Sequence, residues 1–183
     1  MFFTFNKLIS QEIVGMKEVY IDKNLVYKSS NDKLFTGIAQ SKRKSGHLVY
    51  EEEYENGIIL SSNLYYNGKE IRVSNKTIYN PNKPFALSKE NNYHLNGEIF
   101  ETTTYNDDGI KILVEQFKNG KPTYSCEYLG KKKHGLELRF GDNGEKITDR
   151  CEYNIGKKHG EEFCINCDGG KTVTKYENGK KIK

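Results

Sequence analysis

Apolar residues are scarce in this chain. Only 35% of its 183 residues are hydrophobic, against 30% charged, and the mean hydropathy is −0.81. A compact globule carries an apolar fraction nearer half, so a single thick core is excluded. No run approaches the roughly 18 apolar residues of a membrane-spanning helix. The start carries Phe2, Phe3 and Phe5 but is interrupted by Asn6 and Lys7. Neither a long apolar stretch nor a small-residue cleavage site follows, and no cysteine stands near to take a lipid. The expected location is cytoplasmic, or periplasmic for a chain that has lost a signal peptide. The cysteines are Cys126, Cys151, Cys164 and Cys167, all in the last third. That placement excludes a disulfide framework stapling the whole chain. Charge of one sign is also scarce: 29 basic and 25 acidic residues give +4, with Lys and Glu mixed along the length. A nucleic-acid surface gathers its basic residues on one face, and no nucleic-acid partner is expected.

Catalytic patterns are missing too. No Gly-rich phosphate loop follows a strand and opens a helix, and no Ser/His/Asp or Cys/His arrangement is suggested. His134 and His159 recur at one repeat position before a glycine, which marks a repeat feature. Cys164 and Cys167 form a Cys-x-x-Cys, but a zinc ribbon needs a second pair. Cys126 and Cys151 stand singly, one repeat apart and roughly 10 Å from each other, too far for a disulfide. No enzyme, cofactor or metal is expected.

Periodicity is what the chain has instead. Aromatics followed by a turn recur at Tyr54, Tyr66, Tyr79, Tyr93, Tyr105, Phe117, Tyr128, Phe140, Tyr153, Cys164 (with Phe163 beside it) and Tyr176, at intervals of 11–14 residues. The turns include Asn56-Gly57, Asn67-Gly68, Asn96-Gly97, Asp108-Gly109, Asn119-Gly120, Asn143-Gly144 and Asn178-Gly179. These pairs accept positive φ and favour two-residue hairpin turns. Cys126-Glu127-Tyr128 with Gly130-Lys131-Lys132-Lys133-His134-Gly135 returns 25 residues later as Cys151-Glu152-Tyr153 with Gly156-Lys157-Lys158-His159-Gly160. One unit is therefore a hairpin of about 23–26 residues.

Within strands the period is two. Leu136, Leu138 and Phe140 alternate with Glu137 and Arg139, and Tyr124, Cys126 and Tyr128 share a parity. One face is apolar and one wet. Ile110, Ile112 and Val114 against Leu113 and Phe117 suggest a middle covered on both faces. The fold class read from this is all-β: an elongated array of antiparallel β-hairpins in a twisted single sheet, each hairpin touching mainly its neighbours. The 13 Tyr and 9 Phe exclude disorder. They suit a thin sheet whose rings and lysine stems cover the backbone. Such a sheet twists on itself, gains a second layer or dimerises to shelter its apolar parity. Residues 1–18 read as an N-terminal cap, with Phe5, Leu8, Ile9 and Ile13 at helical spacing, and residues 19–183 as the array.

The recurring Gly-x-x-x-x-(Phe/Tyr)…Asn-Gly-Lys unit resembles the MORN repeat, and more closely the bacterial YwqK-like MORN-variant family. Leu34-Phe35-Thr36-Gly37 resembles that family's Phe-Thr-Gly box. Tyr54-Glu55-Asn56-Gly57 and Tyr66-Asn67-Gly68-Lys69 look like its tyrosine-turn units, and the two Gly-Lys stretches at 130 and 156 look like its links. The resemblance spans residues 19–183 and departs at 74–92, where Asn80-Pro81-Asn82-Lys83-Pro84 interrupts the strand pattern without a Gly turn. It implies an immunity protein, or antitoxin, that neutralises a cognate toxin protein. The alternative is a MORN-type scaffold or membrane-proximal protein recognising anionic lipid or a protein partner.

Three stretches stand out as partner-binding candidates. The irregular segment 80–89 supplies Asn80, Asn82, Lys83 and Phe85, because a long loop on a regular array marks a functional insertion. The acidic run supplies Glu51, Glu53 and Glu55, beside Glu52, as a phosphate mimic for a toxin that acts on nucleic acid. The basic run Lys131, Lys132 and Lys133, with Lys157 and Lys158, is expected along one edge of the sheet, for steering a partner or attracting an anionic surface.

Overall fold

The computed structural model describes residues 11–166 and 168–182. The elements are β1 (Ile13–Gly15), a 3-10 turn (Met16–Glu18), β2 (Val19–Asp22), β3 (Leu25–Lys28), β4 (Lys33–Leu34), β5 (Gly37–Lys42), β6 (Leu48–Glu55), β7 (Ile58–Tyr65), β8 (Val73–Tyr79), β9 (Leu87–Tyr93), β10 (Ile99–Tyr105), β11 (Lys111–Lys118), β12 (Lys121–Leu129), β13 (Lys132–Phe140), β14 (Ile147–Asn154), β15 (Lys157–Lys158), β16 (Gly160–Ile165), β17 (Lys171–Glu177) and β18 (Lys180–Ile182). Fifteen strands form one long twisted sheet in the order β1-β5-β6 and onward to β14-β16-β17-β18, with β15 beside β14. The sheet is antiparallel except where β1 runs parallel to β5. Strands β2, β3 and β4 form a separate small sheet. The hairpin array is the architecture the periodicity predicts.

The helical cap is corrected where it falls on described residues. Ile13 stands on β1 opposite Ile38 and is 59% exposed, while Val14 beside it is buried. That alternation is the period of a strand. Phe5, Leu8 and Ile9 lie outside the described residues.

Among the described residues the cluster of buried hydrophobic side chains lies at the N-terminal end. Val14, Val26, Phe35, Ala39, Tyr54 and Ile59 are buried together, with Met16, Val19, Tyr79 and Phe85 packed against them. The Phe35 ring meets Tyr54 edge-on at 5.8 Å. Each large apolar side chain buried in this way is worth about 1.5–3 kcal/mol. The Phe-Thr-Gly box sits at its centre. Thr36 Oγ1 accepts the Asn56 N–H at 2.8 Å. Gly37 holds φ of 148°, and a Cβ there would lie 2.3 Å from the Glu12 carbonyl oxygen. The small sheet is thus the second layer that the apolar parity demanded, confined to one end.

Beyond it, polar side chains replace the core. Cross-strand partners share a face, so register assigns every side chain. On the face that carries the core, Asn75 donates to Asn92, Asn92 to Glu101, and Gln116 to the other Glu101 oxygen. On the opposite face Gln40 and Asn63 both donate to Glu51, and Thr102 donates to Asn91. The middle is not covered on both faces: Ile110 and Ile112 remain 43% and 38% exposed. Too few aliphatic residues lie above them to close either layer.

Hairpin closure is of two kinds. Asn56-Gly57, Asn119-Gly120 and Asn178-Gly179 are two-residue turns with positive φ at both positions, as Asn-Gly predicts. Asn67-Gly68, Asn96-Gly97, Asp108-Gly109 and Asn143-Gly144 lie inside longer turns. Most returning strands also carry a β-bulge close to the turn: register shifts fall at Leu64/Tyr65, Ile78/Tyr79, Gln116/Phe117 and Arg139/Phe140, among others. Bulges add twist, and they explain why strand-plus-turn intervals vary instead of repeating a fixed length.

Candidate interaction surface

Turns alternate between the two long sides of the sheet. Side 1 holds the turns at 43–47, 66–72, 94–98, 119–120 and 141–146, and the one between Ile165 and Lys171. Side 2 holds those at 56–57, 80–86, 106–110, 130–131, 155–156 and 178–179. The repeating aromatic is the last or next-to-last paired residue before its turn. On side 2 these are Tyr54, Tyr79, Tyr105, Tyr128, Tyr153 and Tyr176, all on the core-bearing face. On side 1 they are Tyr65, in place of the Tyr66 that the spacing marks and that lies in the turn, with Tyr93, Phe117 and Phe140, all on the opposite, open face, which Phe163 also takes near the last turn.

Side 2 is closed by its own side chains. From Tyr105 onward the residue opposite each tyrosine is a lysine: Lys111, Lys133, Lys158 and Lys181. Each of the first three reaches the ring of the next hairpin. Lys111 Nζ lies 3.9 Å from the Tyr128 ring centre, Lys133 5.2 Å from Tyr153, and Lys158 5.1 Å from Tyr176. Carboxylates complete the row: Lys133 pairs with Glu137 and Lys158 with Glu162, and Tyr124 donates to Glu137 at 2.7 Å. Burial opposes ionisation of Glu137, but Lys133, Tyr124 and Tyr153 outweigh it and hold the carboxyl below its ordinary range. Burial, the Glu137 hydrogen bond and the Cys151 thiol push the Tyr153 hydroxyl well above its ordinary value. Cys126 and Cys151 are buried in this row as reduced thiols, and burial raises the Cys151 pKa. Cys164 is exposed, and Cys167 lies outside the described residues. The turns of side 2 are also joined through backbone. Gly130 N–H donates to Lys111 O at 3.0 Å, Gly156 to Lys133 O at 2.7 Å, and Gly179 to Lys158 O at 2.8 Å.

Side 1 is open. Opposite its aromatics stand Val73, Ile99, Pro122 and Ile147, too short to reach the next ring. Two notches flank Tyr93 on the open face. The first, of about 760 Å³, is lined by Arg72, Val73, Lys76 and Tyr93 over Asn63. The second, of about 580 Å³, is lined by Tyr93, Ile99 and Phe117, with Lys89, Thr102 and Glu115. Tyr93 and Gly97 belong to both.

The residues singled out by sequence do not form one site. Glu51 and Glu53 share the open face, and Glu52 points to the other, where Tyr50 and Tyr54 donate to it. Glu51 accepts from Tyr65, Gln40 and Asn63. Burial works against its charge, but these bonds dominate and lower its pKa. Glu53 accepts from Gln11 and Ser61. Glu55 is exposed at the end of β6. The proline segment forms the 80–86 turn on side 2, and β8 and β9 on either side of it are regular strands. Asn80 Nδ2 donates to Asp107 O at 3.2 Å, its Oδ1 accepts from Asn82 N–H at 3.0 Å, Lys83 pairs with Asp108 at 2.6 Å, and Phe85 packs on the core. This loop is tied down to the next turn of its own side. Lys131 and Lys132 are exposed on side 2, while Lys133 is bound within the row of rings. Sequence reading missed the notches, although a signal existed. From Tyr105 onward, the residue that faces each aromatic across its turn switches between lysine and a short apolar side chain according to side.

Among the described residues no helix is long and apolar enough to cross a membrane, and no three potential metal ligands stand together. The sequence matches no family model and no curated protein. Among solved structures, a mutant of S. aureus TarM in complex with fondaparinux, alpha-GlcNAc-glycerol and UDP superposes with a TM-score of 0.39 and 8% identity. The match covers 64% of this chain but spans only 21% of that one. A likeness of that size carries no argument about either fold or function.

Proposed function

We propose that this chain is a bacterial immunity protein, or antitoxin, that acts in the cytoplasm without enzymatic activity. It binds a cognate toxin and neutralises it by covering its cleft or substrate path. The observation that carries this reading is the contrast between the sheet's sides. One is filled by its own rings, lysines and carboxylates, and the other keeps aromatic and aliphatic walls beside polar rims. Apolar anchors within a polar rim are the anatomy of a protein–protein interface. The partner class, a toxin, comes from the resemblance to the YwqK-like family. The test is co-expression with the product of the adjacent open reading frame, followed by a sizing column and a growth assay. A stable complex with rescue of growth is expected. A harmless neighbour that does not bind removes the reading.

A second reading rests on exposed Lys131, Lys132 and Lys157 along side 2. As a MORN-type scaffold the chain would lie against an anionic surface, each lysine adding about 1 kcal/mol near it. Flotation with vesicles containing anionic lipid at low salt is then expected, and its failure discards this alternative.

A further inference from the structure

The two notches differ in chemistry. The first has Arg72 and Lys76 in its lining and no carboxylate. Arg72 is already engaged, with Glu70 and with the Leu95 carbonyl oxygen at 2.7 Å. The Lys76 ammonium makes no hydrogen bond or ion pair among the described residues; its charge is felt at Glu51 through space. The second notch has one cation, Lys89, and two carboxylates, Glu98 and Glu115, at its polar rim, and Tyr93, Ile99 and Phe117 as apolar walls. Ile99 there is 37% exposed. The first notch is therefore suited to an anionic group and the second to a large apolar one.

Spacing narrows what can fill both. The notches flank Tyr93 and lie one hairpin apart, about 9.6 Å for two strands. A strand laid along this line covers about 10 Å in three residues, but its first and fourth side chains point to opposite faces. An α-helix returns to the same face after two turns, about 10.5 Å and seven residues on. Its width, about 10–12 Å with side chains, also lets it carry acidic residues on its flank.

We infer that the notches receive one amphipathic α-helix of the partner protein. It places an acidic side chain against Lys76 and, two turns along, a large apolar side chain between Tyr93, Ile99 and Phe117. This inference rests on the reading of the chain as a toxin-binding protein and adds the surface and the partner's recognition element. It moves the contact away from the proline turn and the acidic run.

The test uses the adjacent open reading frame's product as the probe, titrated calorimetrically against the full chain. Lys76→Glu and Ile99→Arg change the notches, and Lys131→Glu on side 2 is the control. Lys76→Gln accompanies the first, because a carboxylate there also repels Glu51. Circular dichroism and Tm confirm that each variant keeps its sheet. Each notch variant is expected to weaken binding roughly tenfold or more, with the control unchanged. Hydrogen exchange on the partner is expected to slow over one helix of about three turns. Binding by both notch variants within about twofold of the parent overturns the docking site and leaves the proposed function standing. No binding by the parent overturns both. Protection confined to an extended or proline-rich segment overturns the helix.

Discussion

The two long sides of this sheet are built from the same hairpins, yet one is closed and the other open. The difference lies in one position of the repeat, the residue facing the aromatic across the turn. On side 2, from β11 onward, it is lysine, whose stem spans the gap to the next ring and whose ammonium settles over it. On side 1 as far as β14 it is Val73, Ile99, Pro122 or Ile147, and gaps remain on both flanks of Tyr93; at the last turn Lys171 lies over Phe163. In a chain too poor in aliphatic residues for a continuous core, long amphipathic side chains do the covering. Where they are withheld, recessed surface remains. The lysine rule also stops where a core takes over: opposite Tyr54 and Tyr79 stand Ile59 and Leu87, beneath the small sheet or beside Phe85.

The largest break in this comparison is expected at the second glycine of the side 2 links. Gly135 holds φ of 95°, and a Cβ would lie 2.0 Å from Glu127 Oε2; Gly160 and Glu152 repeat the arrangement at 2.0 Å. The Glu127 carboxylate accepts the Leu136 N–H at 2.7 Å, so it cannot swing away without leaving a donor unmet. Gly135→Val is expected to cost about 3 kcal/mol from left-handed backbone strain and the displaced bond, read as a lower urea midpoint. Next is Tyr153→Ala, which removes the ring under Lys133 and the hydroxyl that helps hold Glu137 ionised. A half-buried ring of this kind is worth about 2 kcal/mol. If the side 1 counterpart Phe140→Ala costs as much or more, the claim that side 2 is the better-packed side is wrong.

The turns offer a change of opposite sign. The two-residue turn at 155–156 places Ile155 at φ of 47°, a conformation that strains a β-branched residue. Every other two-residue turn on side 2 supplies Asn or Gly at the equivalent position. Ile155→Asn is expected to raise stability by about 1 kcal/mol, visible as a higher Tm.

Much of this was legible in sequence. Aromatics and Asn-Gly pairs at intervals of 11–14 residues reveal the hairpins, because the left-handed turn and the ring before it are local requirements. The Phe-Thr-Gly box drew notice only through a family resemblance, and its place in the core came from the structure. What was not legible depends on long-range placement. The strand pairing of Ile13 is fixed by Ile38, far along the chain, and helical spacing alone could not reveal it. Glu51, Glu52 and Glu53 read as one acidic run, but alternation splits them between faces and local donors engage them. The prolines of 80–86 read as a disruption and an insertion, whereas bonds to Asp107 and Asp108 make the loop an ordinary turn of side 2. The notches escaped because a gap is defined by what a side chain fails to reach, which requires the register.

The smallest expected effect on stability is the sharpest test of the comparison. Ile99→Lys transplants the side 2 rule to side 1, placing a lysine opposite Tyr93 with Phe117 one hairpin away. On side 2 the same arrangement brings ammonium to ring at 3.9–5.2 Å. The loss of a partly exposed isoleucine and the gain of an exposed cation–π contact are each of order 0.5–1 kcal/mol, so Tm should barely move. The notch should nonetheless close. Its closure can be read from the Phe117 ring resonances in a nuclear Overhauser spectrum, where contacts to the new lysine methylenes are expected. If the introduced side chain instead points to solvent and leaves Phe117 unchanged, side-chain length is not what separates the two sides, and the twist contributed by the side 1 bulges becomes the better explanation.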